Sequence, residues 1–436
     1  MAVYLICYGI SFILAWQHLY VLSGLVLVGA AVWLYIRDYI RTGNLIHLRG
    51  LFCLFFVGGQ GISCFKLSYL QTDWLLITWI SFFLAVMAFW WVFEVLTRLY
   101  DGWSAADMGS VYKYYSSADS PLQANRILIS MAVITLVSIL AFAFEAWKLG
   151  YIPMFSYGGV PHAYSYFHIK GIHYFTVSCV LVPSLSVVYC LMMARRGRGL
   201  VRYKGFWLAV ICDIVAVMIP LLCVSRFQLI LAVGMAVFTY ISMTGSFSLV
   251  YVGVLFVALI PAYVALTVLR SHSVEYLNGI FEMKNSHMPI FITQPYMYIA
   301  NNYDNFNCMT AELKHFSFGL KGLFPLWALT GLKFIFPSLA DFPLFVTKEE
   351  LTTVTLFYDA FYDFGVVGMV FFGGLLGGVC YLLGRFRRKL TCPAGHVIYA
   401  QIAMYMMLSF FTTWFSNPTT WFYLIVSGIV YVYVNS

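Results

Sequence analysis

The sequence predicts an all-α polytopic membrane protein with about 12 transmembrane helices and one large extracytoplasmic loop that contains short helices. Hydrophobic residues make up 62% of the chain and charged residues 10%, against roughly 45–50% and 25% in soluble domains. The mean hydropathy is +0.86, so much of the apolar surface has to face lipid. These observations exclude an ordinary soluble domain and predict one integral membrane domain over residues 1–436, in contact with the lipid bilayer.

Twelve hydrophobic runs follow one another along the chain. The first has no basic region or small-residue cleavage site before it, so we interpret it as a retained span and not as a signal peptide. The first four predicted spans are about 1–17, 21–36, 51–69 and 74–96. The fifth ends near 147 and the sixth near 194, the seventh is 206–224, and the eighth and ninth lie between it and about 270. The last three are about 366–383, 396–415 and 421–433.

Basic residues cluster in three loops between spans, at 37–49, 195–204 and 385–389. Arginine and lysine resist translocation, so these loops are expected in the cytoplasm. Both termini are then cytoplasmic, and the loops 150–172, 225–228 and 271–361 face outward. Most of the net charge of +8 lies in these short loops, where it orients the protein in the membrane. We therefore expect no nucleic-acid partner.

The long loop 271–361 alternates aromatic rings with amides and carboxylates. Rings cover the C–H faces of sugars and amides meet their hydroxyls, so the pattern is typical of a glycan-binding surface, and we interpret the loop as a cap on an active site. An ordinary folded loop with turn-forming Asn and Asp is the alternative. The segment 319–340 is interrupted by prolines and is interpreted as an interfacial or re-entrant helix. The residues selected as glycan-binding are Tyr298, Asn301, Asn305 and Tyr358.

Two arginines, Arg226 and Arg270, lie at the outward ends of predicted spans, whereas the other twelve lie in cytoplasmic positions. An arginine near hydrocarbon costs a few kcal/mol unless it has an anionic partner. A guanidinium fork suits phosphate, so both are candidates for binding the diphosphate of a lipid-linked substrate. The alternative is that they snorkel to lipid headgroups or pair with Asp213 or Glu275.

The loop 150–172 and its continuation carry three histidines, His162, His168 and His173. Their spacing is not that of a zinc site and no cysteine pair supports them, so no metal is expected. One or more of them is a candidate general base or phosphate ligand. Asp213, in the middle of a span, is either a proton-relay residue, which favours a transporter, or a residue hydrogen-bonded between helices.

Five short motifs resemble, in their order along the chain, the Wzy-type oligosaccharide repeat unit polymerases of bacterial O-antigen, capsule and exopolysaccharide pathways. They are GYIPMF at 150–155, GIHY at 171–174, SR at 225–226, YIAN at 298–301 with Asn305, and TVT at 353–355 leading into YDFGVVG at 362–368. The resemblance covers roughly residues 140–384, and the remaining spans match only in hydropathy. An arginine expected after the Pro-Met-Phe turn is absent, and Lys170 and the three histidines stand there instead.

The resemblance implies a metal-independent, inverting glycosyltransferase without a cofactor, on the outer face of the bacterial cytoplasmic membrane. The growing glycan on undecaprenyl diphosphate would be the donor, and one undecaprenyl-diphosphate-linked repeat unit the acceptor. The resemblance also implies a flippase and a chain-length regulator of the same pathway as partners. Positive charge would stabilise the diphosphate leaving group, supplied by Arg226, Arg270 and Lys170. A base would take the acceptor proton, and the candidates are His168, Asp304 and Asp363.

Two other functions stay open at this point. A ligase that moves a finished glycan from undecaprenyl diphosphate to another acceptor would share the outer arginines. A polysaccharide or lipid transporter would place charged residues along several spans, where this chain has few.

Overall fold

The structure, a computed structural model, describes residues 1–101, 120–156, 163–196, 199–247, 274–285 and 287–436. Within these residues seven helices are long and apolar enough to cross a membrane, which agrees with a multi-pass membrane protein. They are Tyr20–Thr42, Leu76–Asp101, Pro121–Leu149, His173–Ala194, Lys204–Leu222, Arg226–Thr244 and Tyr358–Arg388.

The count of twelve spans stays a prediction. Two predicted spans correspond to shorter apolar helices, Ala2–Trp16 and Leu48–Ser63. The ninth falls on 248–273, outside the described residues. The last two correspond to Gly395–Met407, of 13 residues, and Pro418–Asn435, of 18, where about 20 are needed to cross the hydrocarbon core without thinning it.

The chain divides into two compact units, and the first comprises Met1–Val111, Val274–Phe386 and Tyr405–Trp421. Its helices approach closely at glycines. A Cβ atom on Gly373 or Gly377 would lie 2.4 and 2.3 Å from the carbonyl oxygens of Ala85 and Phe89. Only glycine permits this contact, so the helices Tyr358–Arg388 and Leu76–Asp101 pack backbone to backbone in the manner typical of membrane helices.

The third predicted span, 51–69, ends earlier than hydropathy indicates, at Ser63. The chain turns there because Lys66 has a left-handed backbone, with φ of +50°. It then passes through 64–75 before the helix Leu76–Asp101 begins. The polar side chains of this turn meet the helix Ile290–Glu312, which is described with the functional site.

The predicted outer loop holds one long helix besides several short ones. Ile290–Glu312 has 23 residues, thirteen of them buried, and Val274–Phe281 precedes it. The segment 319–340, interpreted from sequence as an interfacial or re-entrant helix, is a run of separate turns. Its short helices are Phe324–Leu329 and Leu332–Ile335, followed by the 3-10 turn Pro337–Leu339.

The helix Tyr358–Arg388 is interrupted near its start. Phe364 and Gly365 have non-helical backbone angles, and Gly365 has φ of +60° and ψ of −142°. This combination is essentially restricted to glycine. The first turn, with Asp359 and Asp363, therefore points in a different direction from the apolar remainder.

The second unit comprises Tyr112–Ser273, Arg387–Met404 and Phe422–Ser436. Its core lies among the helices Pro121–Leu149, His173–Ala194 and Lys204–Leu222, with fully buried residues such as Met131, Met192 and Ala209. His173–Ala194 contains a 3-10 turn at Ser178–Leu181. The other short elements of this unit are Pro153–Phe155, Ala163–Tyr166 and Leu200–Arg202.

Candidate functional site

The predicted site residues fall into both compact units, and each group is described by itself. His168, Lys170 and Arg226 belong to the second unit. The first unit contains the other predicted residues that the structure describes: Asp304, Asp363, Tyr298, Asn301, Asn305 and Tyr358. Arg270 lies outside the described residues.

A buried carboxylate and a histidine form the centre of the site in the second unit. Glu145 lies in the last turns of the helix Pro121–Leu149, and its side chain is fully buried. The helix ends at Gly150, with φ of +78°, and the chain returns through the loop and a turn at Gly171, with φ of +87°. The return brings the start of the helix His173–Val177 against the carboxylate.

Three groups donate hydrogen bonds to Glu145. His173 Nδ1 lies 3.1 Å from Oε2, Thr176 Oγ1 donates to Oε2 at 2.7 Å, and the Ile169 amide donates to Oε1 at 2.8 Å. An ionised carboxylate only accepts, so the hydrogen of neutral His173 lies on Nδ1 and the lone pair on Nε2. The carboxylate thus sets both the tautomer and the orientation of the ring.

His173 lines a cavity of about 260 Å³ in the second unit. The opposite wall comes from the turn between the helices Lys204–Leu222 and Arg226–Thr244, where Val224 has φ of +54°. Gln228 lines this cavity too, and its Oε1 is buried without a donor among the described residues. Both the strained turn and the unsatisfied amide are features typical of ligand sites. The lining residues are Ser165, Phe167, His168, His173, Cys223, Val224, Ser225 and Gln228.

Arg226 is the first residue of the helix Arg226–Thr244 and directly follows Ser225 of the cavity wall. It is 8% exposed. A cation at a helix N-terminus is opposed by the helix dipole, and burial adds a desolvation cost. Helix stability therefore does not favour an arginine at this position. Lys170 and His168 are exposed on the facing loop.

Asp304, in the first unit, is enclosed by donors. Its side chain is 1% exposed, and four groups donate to it: Lys66 Nζ at 2.5 Å, Gln71 Nε2 at 2.7 Å, Trp74 Nε1 at 2.7 Å and Ser63 Oγ at 3.1 Å. Lys66 also lies 4.6 Å above the Trp74 ring. The arrangement joins the helix Ile290–Glu312 to the turn 64–75.

Asn301 and Asn305 lie on the buried face of the same helix, at 1% and 0% exposure. Asn305 Nδ2 donates to the carbonyls of Leu351 and Thr353, at 2.7 and 2.8 Å. The oxygens of both amides accept hydrogen bonds from Thr347. These contacts hold the segment 347–353 against the helix, and a glycan-binding role for the two asparagines stays a prediction.

Asp363 accepts hydrogen bonds from the Ser317 hydroxyl and from the amides of Lys321 and Gly322, the last two at 3.1 and 2.8 Å. Lys321 Nζ lies 3.7 Å from Asp359 and 3.9 Å from the centre of the Tyr362 ring. Burial lowers the pKa of Lys321 against the opposing effect of the two carboxylates.

The two remaining aromatic residues selected from sequence also lie in the first unit. The Tyr358 hydroxyl accepts from the Phe345 amide at 2.9 Å and donates to its carbonyl at 3.1 Å. Tyr298 packs against Phe411, with ring centroids 6.2 Å apart. Both rings contact this unit's own chain, and their predicted role toward a glycan stays a prediction.

Sequence reasoning missed Glu145 and Lys66. Each had a signal: Glu145 is an acid in the last turns of an apolar helix, where the helix dipole disfavours an anion. Lys66 lies within a predicted span, where a charge needs a partner. In the described ranges, no group of three or more His, Cys, Asp or Glu residues is arranged to hold a metal ion.

Comparison with known proteins does not assign a family or a function to this chain. No protein-family profile, curated protein or solved structure matches the chain.

Proposed function

We propose that this protein polymerises undecaprenyl-diphosphate-linked oligosaccharide repeat units into a surface polysaccharide at the outer face of the bacterial cytoplasmic membrane. One observation carries the proposal. His168 and His173 line one cavity with Ser225 and Gln228, which are far from them in the chain, and the ring of His173 is oriented by a buried carboxylate. The buried Arg226 directly follows Ser225 of this lining. Glycosyl transfer from a lipid diphosphate needs these two elements, a proton acceptor and a cation for the leaving group.

The reaction assigned to the cavity is a single displacement. The acceptor hydroxyl oxygen forms a bond to the anomeric carbon of the donor glycan, and the bond from that carbon to the diphosphate oxygen breaks. Nε2 of His173 takes the hydroxyl proton, and undecaprenyl diphosphate leaves with the bonding electrons. Arg226 stabilises the charge that develops on the diphosphate, with Lys170 as a second cation. The displacement inverts the anomeric configuration.

His173 is a better proton acceptor in this scheme than the three bases selected from sequence. Asp304 is paired with Lys66, and Asp363 accepts three hydrogen bonds from the loop 317–322. His168 lines the same cavity, with its ring centroid 6.3 Å from that of His173. Of these two cavity histidines, His173 has its ring held by the buried carboxylate of Glu145.

Analysis of lipid-linked glycans in a strain lacking this protein tests the proposal. We expect a single repeat unit to accumulate and long chains to disappear. Long chains that form but stay on the lipid carrier would identify a ligase instead. Intermediates trapped on the cytoplasmic side would identify a transporter, and unchanged glycans would rule out all three functions.

Substitution of Arg226 tests the assignment of the site. Arg226→Ala is expected to reduce polymer yield about a hundredfold or more, since a leaving-group cation contributes several kcal/mol to transition-state stabilisation. Arg202→Ala removes an exposed arginine of the same unit and serves as the control. Normal polymer yield from Arg226→Ala, at membrane abundance equal to that of the control, would remove Arg226 from the mechanism.

A pair of histidine variants identifies the base. His173→Gln is expected to lower the polymerisation rate of purified protein about 10²-fold or more, and His168→Gln to lower it much less. The reverse order of the two effects would transfer the role to His168.

A further inference from the structure

A second cavity lies in the first unit and has no role in the mechanism above. Its volume is about 380 Å³. It is formed where the helix Ala2–Trp16 ends, the helix Tyr20–Thr42 begins and the turn 64–75 leads into the helix Leu76–Asp101. The lining residues are Phe12, Ala15, Trp16, His18, Tyr20, Cys64, Lys66, Asp73, Trp74, Leu76 and Trp79.

Four aromatic side chains form one wall of this cavity. Trp74 and Trp79 have ring centroids 5.1 Å apart, Phe12 lies 5.6 Å from Trp79, and Phe12 lies 6.1 Å from Trp16. Trp74 and Trp79 are buried, whereas Trp16 is 74% exposed. The wall thus continues from a fixed interior pair of rings to one ring at the mouth.

The opposite edge is polar and holds a short hydrogen-bond chain. The Tyr20 hydroxyl donates to Asp73 at 2.6 Å and lies 2.6 Å from His18 Nδ1. The side chains of His18 and Asp73 are 70% and 61% exposed. The three residues offer both donors and acceptors to a solute, and the solute can reach them without opening the fold.

The backbone is strained at two points on this cavity. Five residues other than glycine have positive φ in the described part of the chain, and His18 and Lys66, at +59° and +50°, are two of them. Such conformations cost of order 1–3 kcal/mol each and cluster at ligand sites. The strain turns His18 toward Tyr20 and places Lys66 beside Trp74.

The charges of the cavity disfavour an ionic ligand. Lys66 is the cation of the wall, but it is bound to Asp304 at 2.5 Å, so an anion would compete with that carboxylate. An organic cation would be attracted by Asp73, but Lys66 would repel it, and Lys66 Nζ already lies 4.6 Å over the face of the Trp74 ring. A neutral ligand with an apolar face and several hydroxyl groups meets neither penalty.

We propose that this cavity binds a pyranose sugar. The tryptophan rings would cover the C–H face of the sugar, and Asp73, Tyr20 and His18 would bind its hydroxyls. A mostly apolar wall with a few placed polar groups is the usual composition of a small-molecule site. The class of ligand follows from the cavity alone. Its identity as part of the repeat unit or the growing glycan rests on the proposed function.

The experiment measures sugar binding to the purified full-length protein in lipid nanodiscs. The probes are the methyl glycosides of glucose, galactose and N-acetylglucosamine, the glycan released from the organism's own lipid carrier, and choline. Saturation-transfer NMR detects binding, and tryptophan fluorescence gives the dissociation constant. We expect saturation transfer to at least one sugar probe and none to choline.

Two variants locate the binding. Trp16→Ala is expected to raise the dissociation constant about tenfold, and Asp73→Asn about fivefold, through loss of a charged hydrogen-bond acceptor. Both residues are exposed, so the fold should tolerate the changes. Trp147→Ala is the matched control, because Trp147 is 76% exposed at the end of a helix in the other unit.

Three results would overturn the proposal: no saturation transfer to any sugar probe, transfer to choline alone, or equal sugar affinity in the Trp16→Ala, Asp73→Asn and Trp147→Ala proteins. The glycan profile of the strain lacking the protein tests the proposed function separately. Sugar binding with an unchanged glycan profile would overturn the polymerase and leave the cavity assignment standing. No sugar binding, together with the expected accumulation of a single repeat unit, would overturn only the cavity assignment.

Discussion

Two buried carboxylates, one in each compact unit, have similar surroundings but different partners. Asp304 and Glu145 have side chains 1% and 0% exposed, and each accepts several hydrogen bonds. The cation beside Asp304 is Lys66, itself only 6% exposed. The base beside Glu145 is His173, whose side chain is 28% exposed and lines a cavity.

This difference distinguishes a structural role from a chemical one. Asp304 is bound by Lys66 and by three neutral donors, so its network is an ion pair closed by hydrogen bonds. His173 instead has a ring that lines a cavity, and an imidazole nitrogen is a common proton acceptor in catalysis. Glu145 forms a hydrogen bond with His173, which can act on a ligand in the cavity. We therefore regard Glu145 as a positioning residue.

The largest expected effect on stability is at Asp304. Asp304→Asn keeps the shape of the side chain but leaves Lys66 buried without its counter-ion, which costs about 3–5 kcal/mol. We expect a sharp loss of thermal stability of the purified protein and of its abundance in the membrane. Combining Asp304→Leu with Lys66→Met, which removes both charges, should recover much of the loss.

Activity per folded molecule sharpens the same comparison. It should fall less in Asp304→Asn than in Glu145→Gln. The opposite order would make Asp304 the chemical carboxylate and end the distinction drawn here.

Glu145→Gln is expected to lower the polymerisation rate about 10²-fold, because a neutral amide no longer fixes the tautomer of His173 or stabilises its protonated form. The loss of stability should be smaller than at Asp304, since no buried cation is left unpaired. Rates measured across pH separate positioning from packing. A shifted pH profile supports the positioning role, whereas an unchanged profile with reduced abundance contradicts it.

Asn305→Ala tests whether the first unit is held by closed polar contacts. The change leaves the carbonyls of Leu351 and Thr353 without the amide that binds them. We expect a cost of about 2 kcal/mol and faster hydrogen exchange over 347–353. Cys308→Ala, on the less buried side of the same helix, is the control. Equal exchange in both variants would show that the segment is held by other contacts.

The smallest expected effect concerns alkaline pH. Burial lowers the pKa of Lys321 in the folded protein below its unfolded value. Between the folded and the unfolded pKa of Lys321, the unfolded chain binds more protons than the folded protein. The free energy of unfolding therefore gains a contribution that rises with pH over this range. Thermal unfolding of Lys321→Met between neutral and alkaline pH should lack this rise. If the free energy of unfolding has the same slope against pH in Lys321→Met and in the unaltered protein, the pH dependence belongs to other groups.

Hydropathy predicted much of the membrane architecture. The long apolar runs correspond to helices because a span has to satisfy its own backbone in lipid. The Ser225-Arg226 link was also singled out correctly as the boundary of two helices, since Arg226 begins the helix Arg226–Thr244.

The polar interior of the first unit was not predictable in the same way. Asn301 and Asn305 are read from sequence as surface residues, because asparagine is mostly exposed. Here they are buried, since both bind a segment more than forty residues away: Asn305 donates to backbone carbonyls, and Asn301 accepts from the Thr347 hydroxyl. The pairing of Glu145 with His173 likewise depends on the return of the chain after Gly150. Such contacts depend on the tertiary path and leave no periodic signal.

The glycine contacts of the first unit have a consequence for biosynthesis. Gly373 and Gly377 pack on Ala85 and Phe89, yet the ribosome makes the whole of 102–357 between the helices Leu76–Asp101 and Tyr358–Arg388. At 5–20 residues per second, the helix Leu76–Asp101 waits on the order of ten to fifty seconds for its partner. During that time the backbone at Ala85 and Phe89 lacks the helix that covers it in the folded unit. This helix contact of the unit is therefore completed only after Tyr358–Arg388 has entered the bilayer.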